Sequence, residues 1–132
     1  MSKNKDIFPK PSRPLEYVAF LNFKVPTLEG PAYVFMGCDG YSEFGFSICV
    51  EPDETDVSII KAVYLLTENK DFVNQIQRGF TLVFDRFEEL AERIEAVVKP
   101  LGGKIIFNPK FHQKIAAPVI EGFGEFLKRG PQ

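Results

Sequence analysis

The stretch "YVAFLNFKV", Tyr17–Val25, decides the fold, because all of its residues except Lys24 suit the interior of a sheet. Pro26 and the turn "TLEGP" follow it, so the pattern predicts a strand that ends there. Asn22 lies near the middle of this strand, where a buried amide needs hydrogen-bond partners. The simplest interpretation is that Asn22 ties the strand to a neighbouring backbone group.

The segments that follow predict the element order βββαβαβα. Two tight connections, one of them the Asp-Gly turn "DGYS" at 39–42, make the first three strands an antiparallel meander. The bare apolar run "FTLVF" at 80–84 is typical of a buried parallel strand. If it lies beside the first strand, the fold is α/β, a mixed five-stranded sheet with strands 1–3 antiparallel, strands 4–5 parallel and helices on both faces.

The other elements follow from local patterns. Strand three has large residues alternating with small ones, which predicts one large face, one small face and a helix lying close against the strand. The other strands are expected at 32–38, 43–50 and 104–107. Helices are expected from Asp53 or Thr55 to about 67, over 87–98 and from Pro118 onward. The segment 70–79 is expected to be a short helix or loop, and 108–117 a loop.

Composition predicts a single globular domain. Hydrophobic residues make up 45% and charged residues 26% of 132 residues, enough for a real core. Residues 1–14, polar with three prolines, are expected to be a flexible arm, and residues 15–130 the domain. The net charge of −2 counts against a protein that depends on gripping phosphates.

Cysteine usage and hydropathy bear on the compartment. Cys38 and Cys49 lie too far apart on the predicted hairpin to form a disulfide, which indicates a reducing compartment. No apolar run has the length of a membrane span. We therefore expect a cytoplasmic protein with no membrane partner and no small-molecule cofactor.

Three polar positions converge in the predicted sheet. Asn22 lies on the central strand, Asp85 falls where the adjacent strand four ends, and Glu121 is placed one turn into the last helix. Three acidic groups at such a point would bind two Mg²⁺ or Mn²⁺ ions about 3.5–4 Å apart and support an in-line phosphodiester displacement. Asn22 supplies an oxygen without a charge, so the site is one carboxylate short.

Four segments in order carry a family resemblance. The chain resembles the catalytic core of retroviral-type integrases and bacterial insertion-sequence transposases, which have a ribonuclease H-like fold. The resemblance runs from about Arg13 to Lys128 and rests on "RPLEYVAFLNFKV", "YVFMGCDGYSEFGFS", "GFTLVFDRFEEL" and "FNPKFHQKIAAPVIEGFGEFLK". It implies that Asp85 and Glu121, which have 35 residues between them, are metal ligands. It also implies that Asn22 occupies the position of the family's first catalytic Asp.

The resemblance also implies partners and departures. It implies a domain that is related to DNA integration and strand transfer and whose active site is degenerate. The implied partners are DNA, bound weakly or through domains outside this chain, and a second copy of the chain in a possible homodimer. The family usually has a small residue two positions after its second Asp, whereas this sequence has Phe87 there. One turn after the Glu the family often has a basic residue, whereas this sequence has the acidic Glu125. The implied nucleic-acid contacts are Lys110, Lys114 and Lys128.

Alternatives remain open at this point. An active Mg²⁺-dependent polynucleotidyl transferase or nuclease would need Asn22 or Asp39 to complete the metal shell. A small α/β protein-interaction domain would leave residues 22, 85 and 121 apart. Asp85 followed by Glu88 also fits a helix capping box, and His112, without a second His or a Cys near it, fits a loop histidine.

Overall fold

The sheet and its helices follow the predicted order. A computed structural model describes residues 8–76 and 79–128 of the protein, and side chains as far as residue 122. The five strands are β1 (Tyr17–Thr27), β2 (Gly30–Asp39), β3 (Gly45–Glu51), β4 (Phe80–Phe84) and β5 (Gly103–Phe107). The α-helices are α1 (Asp56–Glu68), α2 (Lys70–Gln75), α3 (Ala91–Val98) and α4 (Pro109–Lys128), with short 3₁₀ turns on both sides of α3.

The strand order across the sheet is β3-β2-β1-β4-β5. β1 pairs antiparallel with β2 and parallel with β4, and β4 pairs parallel with β5. The predicted mixed five-stranded sheet with β4 beside β1 is therefore confirmed. Because Val83, near the end of β4, pairs with Ala19 and β1 continues to Thr27, the carboxyl end of β4 lies next to the middle of β1.

Each face of the sheet is covered by helices. Phe20 and Phe84 belong to the larger core on the side of α1 and α3, while Leu21 and Val83 belong to the smaller core under α4. Successive residues of one strand thus pack on opposite faces, as a pleated strand requires. Among the described residues, no helix is long and apolar enough to cross a membrane.

Helix α4 begins nine residues earlier than the sequence pattern predicted. The predicted loop over 108–117 is wrong, because the helix starts at Pro109 and continues through Pro118. The side-chain oxygen of Asn108 accepts a hydrogen bond from the Phe111 amide at 3.1 Å, which caps the first turn. The buried side chains of Phe111 and Ile115, one turn apart, hold this first half of the helix against the sheet.

Strand β3 does not keep the predicted division into one large and one small face. Ser47 has a positive φ of 58°, and the pairing of β2 with β3 shifts register there. This bulge reverses the alternation, so Phe46 and Cys49 pack against the core while Ile48 and Val50 are 62% and 59% exposed. The prediction of a single large face was wrong because a bulge leaves little trace in a pattern of residue sizes.

Both cysteines are free, as predicted from their separation. Cys38 is fully buried, and burial, together with the neighbouring Asp39 charge, raises the pKa of its thiol to about 11. Burial also raises the pKa of Cys49. Thiols with raised pKa values are poor nucleophiles at neutral pH, and the two thiols instead donate hydrogen bonds, Cys38 to the Ile115 carbonyl oxygen at 3.8 Å and Cys49 to the Glu51 carboxylate at 3.3 Å.

Candidate active site at the end of strand β4

Asp85 follows the last residue of β4 and lies beside the middle of β1. The parallel register pairs Ala19 with Val83, so two residues further along, Asp85 comes level with the segment Phe20–Asn22. The Asp85 side chain is 37% exposed, and one of its oxygens is 4.0 Å from the Nε2 atom of His112. The structure therefore places Asp85 where the sequence predicted it, at the end of β4. The place where the end of β4 meets the middle of β1 is called the β1–β4 edge below.

His112 is the residue of α4 that reaches this edge. It lies in the first turn of the helix, is 6% exposed, and its Nε2 atom is 2.8 Å from the carbonyl oxygen of Phe20. Because a carbonyl oxygen only accepts hydrogen bonds, Nε2 carries the proton and donates it. The loop-histidine interpretation was wrong. The signal that was missed is Asn108-Pro109, a cap residue followed by a proline suited to a first helical position.

Asn22 is half-buried, but the polar atoms of its side-chain amide lie fully inside the protein. Neither its Oδ1 nor its Nδ2 has a partner among the described residues, and both atoms are inaccessible to solvent. The interpretation that Asn22 ties the strand to a backbone group is therefore wrong. Strand alternation puts its side chain on the face of Phe20 and the larger core, whereas Asp85 approaches α4.

A fixed positive charge lies next to Asn22. The guanidinium of Arg86 approaches the backbone carbonyl oxygen of Asn22 at 3.4 Å and the carboxylate of Glu54 at 3.3 Å. The same guanidinium lies 5.0 Å from the ring centre of Phe87. Arg86 thus brings a permanent cation to the place where the active-enzyme alternative requires divalent metal ions.

Glu121 does not lie one turn into the helix. It is nine residues beyond His112 in α4, about 13 Å further along the axis and about 180° round it, and it is exposed. A side chain on that face points away from the sheet edge that His112 contacts. The helix thus brings His112, and not Glu121, to Asp85.

Asp39, the alternative first carboxylate, lies at the opposite end of the sheet. It pairs with Val18, four residues before Asn22 and therefore about 13 Å away along β1. Its carboxylate accepts hydrogen bonds from the amides of Leu15 and Tyr41 and from the hydroxyl of Ser42. Asp39 closes the β2–β3 turn and does not reach Asp85.

The residues at the β1–β4 edge do not fit the two-metal centre that the active-enzyme alternative requires. No group of three or more His, Cys, Asp or Glu side chains that could hold a metal ion occurs within the part of the chain that the structure describes. Asp85 is one carboxylate, Asn22 contributes no charge, and Arg86 adds a positive one. Two adjacent divalent ions need several oxygen ligands with negative charge, so this set is insufficient.

Phe87 adopts a left-handed backbone conformation two residues after Asp85. Its φ is 81°, a region that favours glycine, although its side chain is only 8% exposed within the larger core. The 3₁₀ turn that follows, Glu88–Leu90, has no side-chain cap hydrogen bond, so the capping box predicted for Asp85 and Glu88 does not form. Packing of the Phe87 ring offsets the backbone strain at this position.

The predicted nucleic-acid contacts lie on α4. Lys110 and Lys114 are exposed and one turn apart, so they share one side of the helix. The ammonium of Lys114 lies 5.9 Å from the ring centre of Phe8. The side chain of Lys128 lies outside the described residues. Two lysines one turn apart form a small basic strip and not an extended basic face.

Comparison with solved structures identifies the fold. The chain is similar to a chain of the simian T-cell lymphotropic virus intasome in complex with PP2A regulatory subunit B56 gamma, with 9% identity and a TM-score of 0.62 over 92% of this chain and 45% of that one. It is similar to the HTLV-2 integrase catalytic core domain in complex with magnesium, in its trimeric form, with 11% identity and a TM-score of 0.58 over 90% and 76%.

The catalytic domain of Mos1 mariner transposase gives a third likeness, with 10% identity and a TM-score of 0.55 over 83% of this chain and 60% of that one. No family model and no curated protein matches the sequence. The fold is therefore that of integrase and transposase catalytic cores, the ribonuclease H-like mixed sheet. The chain spans less than half of the intasome chain, and identities this low define the fold alone.

Proposed function

We propose that this chain is an integrase- or transposase-core-like domain, related to DNA integration and strand transfer, that has lost catalysis and serves as a self-associating module. The observation that carries the proposal is the exchange at the β1–β4 edge: the helix residue facing Asp85 is His112, and the central strand offers the uncharged Asn22. A two-metal mechanism depends on carboxylates at these places. The lack of a carboxylate at two positions, Asn22 and His112, supports a complete loss of catalysis and not a reduced activity.

Strand nicking tests the loss of catalysis. Wild-type protein and Asn22→Asp are incubated with supercoiled plasmid and Mn²⁺, with Asp85→Asn as the control for contaminating nuclease. We expect all three to show the same background, because restoring one acid on β1 leaves His112 facing Asp85. Mn²⁺-dependent nicking by wild-type protein that Asp85→Asn abolishes would overturn the proposal and favour the active-enzyme alternative. Nicking gained only in Asn22→Asp would show that a single substitution caused the loss.

The exposed side chains of β3 support self-association. β3 is an edge strand, and Ile48 and Val50 leave an apolar pair uncovered on it. The HTLV-2 integrase core, which shares this fold, has been solved in both dimeric and trimeric forms. We expect wild-type protein to sediment above monomer mass and Ile48→Lys to sediment as monomer. Leu28→Lys, at a fully exposed position of the β1–β2 turn, is the control that should leave the mass unchanged.

DNA association is the second candidate function, favoured by the strip of Lys110 and Lys114 on α4. The net charge of −2 predicts weak binding that falls steeply with salt. Fluorescence anisotropy with labelled duplex at low salt measures it, and the double variant Lys110→Ala/Lys114→Ala should bind less. Equal binding by the variant would remove α4 from the proposed DNA contact.

A further inference from the structure

A cavity of about 460 Å³ lies at the end of the sheet opposite Asn22 and Asp85. It is enclosed by the segment before β1, the β2–β3 turn and helix α2, and it lies on the face of the larger core. Its position beside Asp39 separates it from the β1–β4 edge by about 13 Å along β1. Its volume is that of a small-molecule site. The lining residues are Pro14, Leu15, Asp39, Tyr41, Ser42, Phe44, Phe46, Asn69, Asp71, Phe72 and Gln75.

Aromatic rings form part of the wall of the cavity. Phe46 and Phe72 are stacked with ring centres 5.4 Å apart and form the inner wall. Tyr41 and Phe44 stand at the rim and remain 53% and 66% exposed. Large aromatic side chains left exposed around a concave site mark a place where a ligand would cover them.

The charge of the cavity is negative. Asp39 and Asp71 are part of the lining, and none of the described residues that line it is Lys, Arg or His. Asp39 is 3% exposed, and its three donors, two amides and one hydroxyl, are neutral. A buried carboxylate held only by neutral donors still attracts a cation placed near it.

We propose that this cavity binds a methylated ammonium group. Aromatic faces attract a cation through their ring quadrupoles, and a quaternary ammonium sheds its weakly held water at little cost on entering an apolar site. A metal ion does not fit, because Asp39 already uses its oxygens in hydrogen bonds and the described residues at this cavity include no third His, Cys, Asp or Glu beside Asp39 and Asp71. The group could belong to a small molecule or to a methylated lysine of a peptide, and the chemistry of recognition is the same.

Titration with choline and its neutral isostere 3,3-dimethylbutan-1-ol tests the proposal on wild-type protein. We expect choline to bind saturably and at least about tenfold more tightly than the alcohol, since only the charge differs. Equal affinities, or no saturable binding of choline or of a trimethyllysine peptide, would overturn the proposal. A trimethyllysine peptide that binds more tightly than choline identifies a peptide source, while similar affinities identify the small cation.

Variants at the cavity make the test specific. Phe44→Leu keeps an apolar side chain but removes the ring, and Asp71→Asn keeps the shape but removes the charge. Each should weaken choline binding about three- to tenfold. Val73→Ala, on the same helix as Asp71 but outside the lining, and Asp53→Asn are matched controls that should not. If Phe44→Leu and Asp71→Asn bind like the controls, the site is not this cavity. The proposal is independent of the lost catalysis, because the two sites share no residue.

Discussion

Asp39 and Asp85 each come where a strand ends, one as the last residue of β2 and the other directly after β4, yet they differ in their surroundings. Three neutral donors surround Asp39, which is nearly inaccessible to solvent. Asp85 is 37% exposed and lies 4.0 Å from His112, beyond hydrogen-bonding distance. The difference teaches that the local supply of donors decides whether a carboxylate at a strand end holds the fold or stays available for chemistry.

The largest expected effect is on stability and separates the two aspartates. Asp39→Ala removes the acceptor of three hydrogen bonds and leaves the buried Leu15 amide unpaired, so we expect a loss of about 3 kcal/mol in the free energy of unfolding. Asp85→Ala should cost less than about 1 kcal/mol, because its carboxylate is partly solvated. Urea denaturation of both variants at pH 7 measures the difference.

Asp39→Asn is the graded control for this comparison. The amide oxygen can still accept from the backbone amides, so the loss should fall between those of wild type and Asp39→Ala. If Asp85→Ala destabilises the protein as much as Asp39→Ala does, Asp85 is part of the folded framework. The aspartates at the ends of β2 and β4 would then both stabilise the fold, and the proposed difference between them would be wrong.

The arrangement of the sheet could be predicted from the sequence, because each of its signals is local and strong. "FTLVF" bounded by polar residues indicates a buried parallel strand, and tight turns fix the first three strands as a meander. The start of α4 could not be fixed in the same way, because Pro109 and Pro118 are both compatible with a first helical position. The turn-spaced pair Phe111 and Ile115 decides for Pro109, and its role becomes visible only against the sheet.

The candidate site was predictable in part for the same reason. Asp85 follows a well-defined strand, so its place at the sheet edge was secure. Which helix residue faces it depends on where α4 begins, and the nine-residue error put Glu121 in the first turn, where His112 lies. The unpaired amide of Asn22 could not be predicted at all, since the burial of both its polar atoms depends on how neighbouring side chains pack.

The second prediction uses that unpaired amide. Asn22→Leu replaces two buried polar atoms that have no partner in the described residues by an apolar group of similar size, so we expect the protein to gain about 1–2 kcal/mol in stability. Asn69→Leu is the control, because the Asn69 side chain caps α2 and its loss should cost about 1 kcal/mol. A loss of stability in Asn22→Leu would show that the amide is hydrogen-bonded in solution, so that Asn22, like Asp39, would stabilise the fold.

The smallest expected effect concerns Arg86, the cation beside Asn22. Its guanidinium and its partner Glu54 are partly exposed, so we expect Arg86→Met to cost only about 0.5 kcal/mol at low salt and less at 1 M NaCl, where the Debye length falls to about 3 Å. Lys61→Met, which breaks the exposed Lys61–Glu51 pair away from this edge, is the control, and any effect of it should also fall at 1 M NaCl. A cost above about 2 kcal/mol that persists in salt would mean that Arg86 belongs to a desolvated network with the Asn22 carbonyl. In that case the end of β4 would be held as firmly as the turn around Asp39, and availability for chemistry would no longer distinguish the two strand ends.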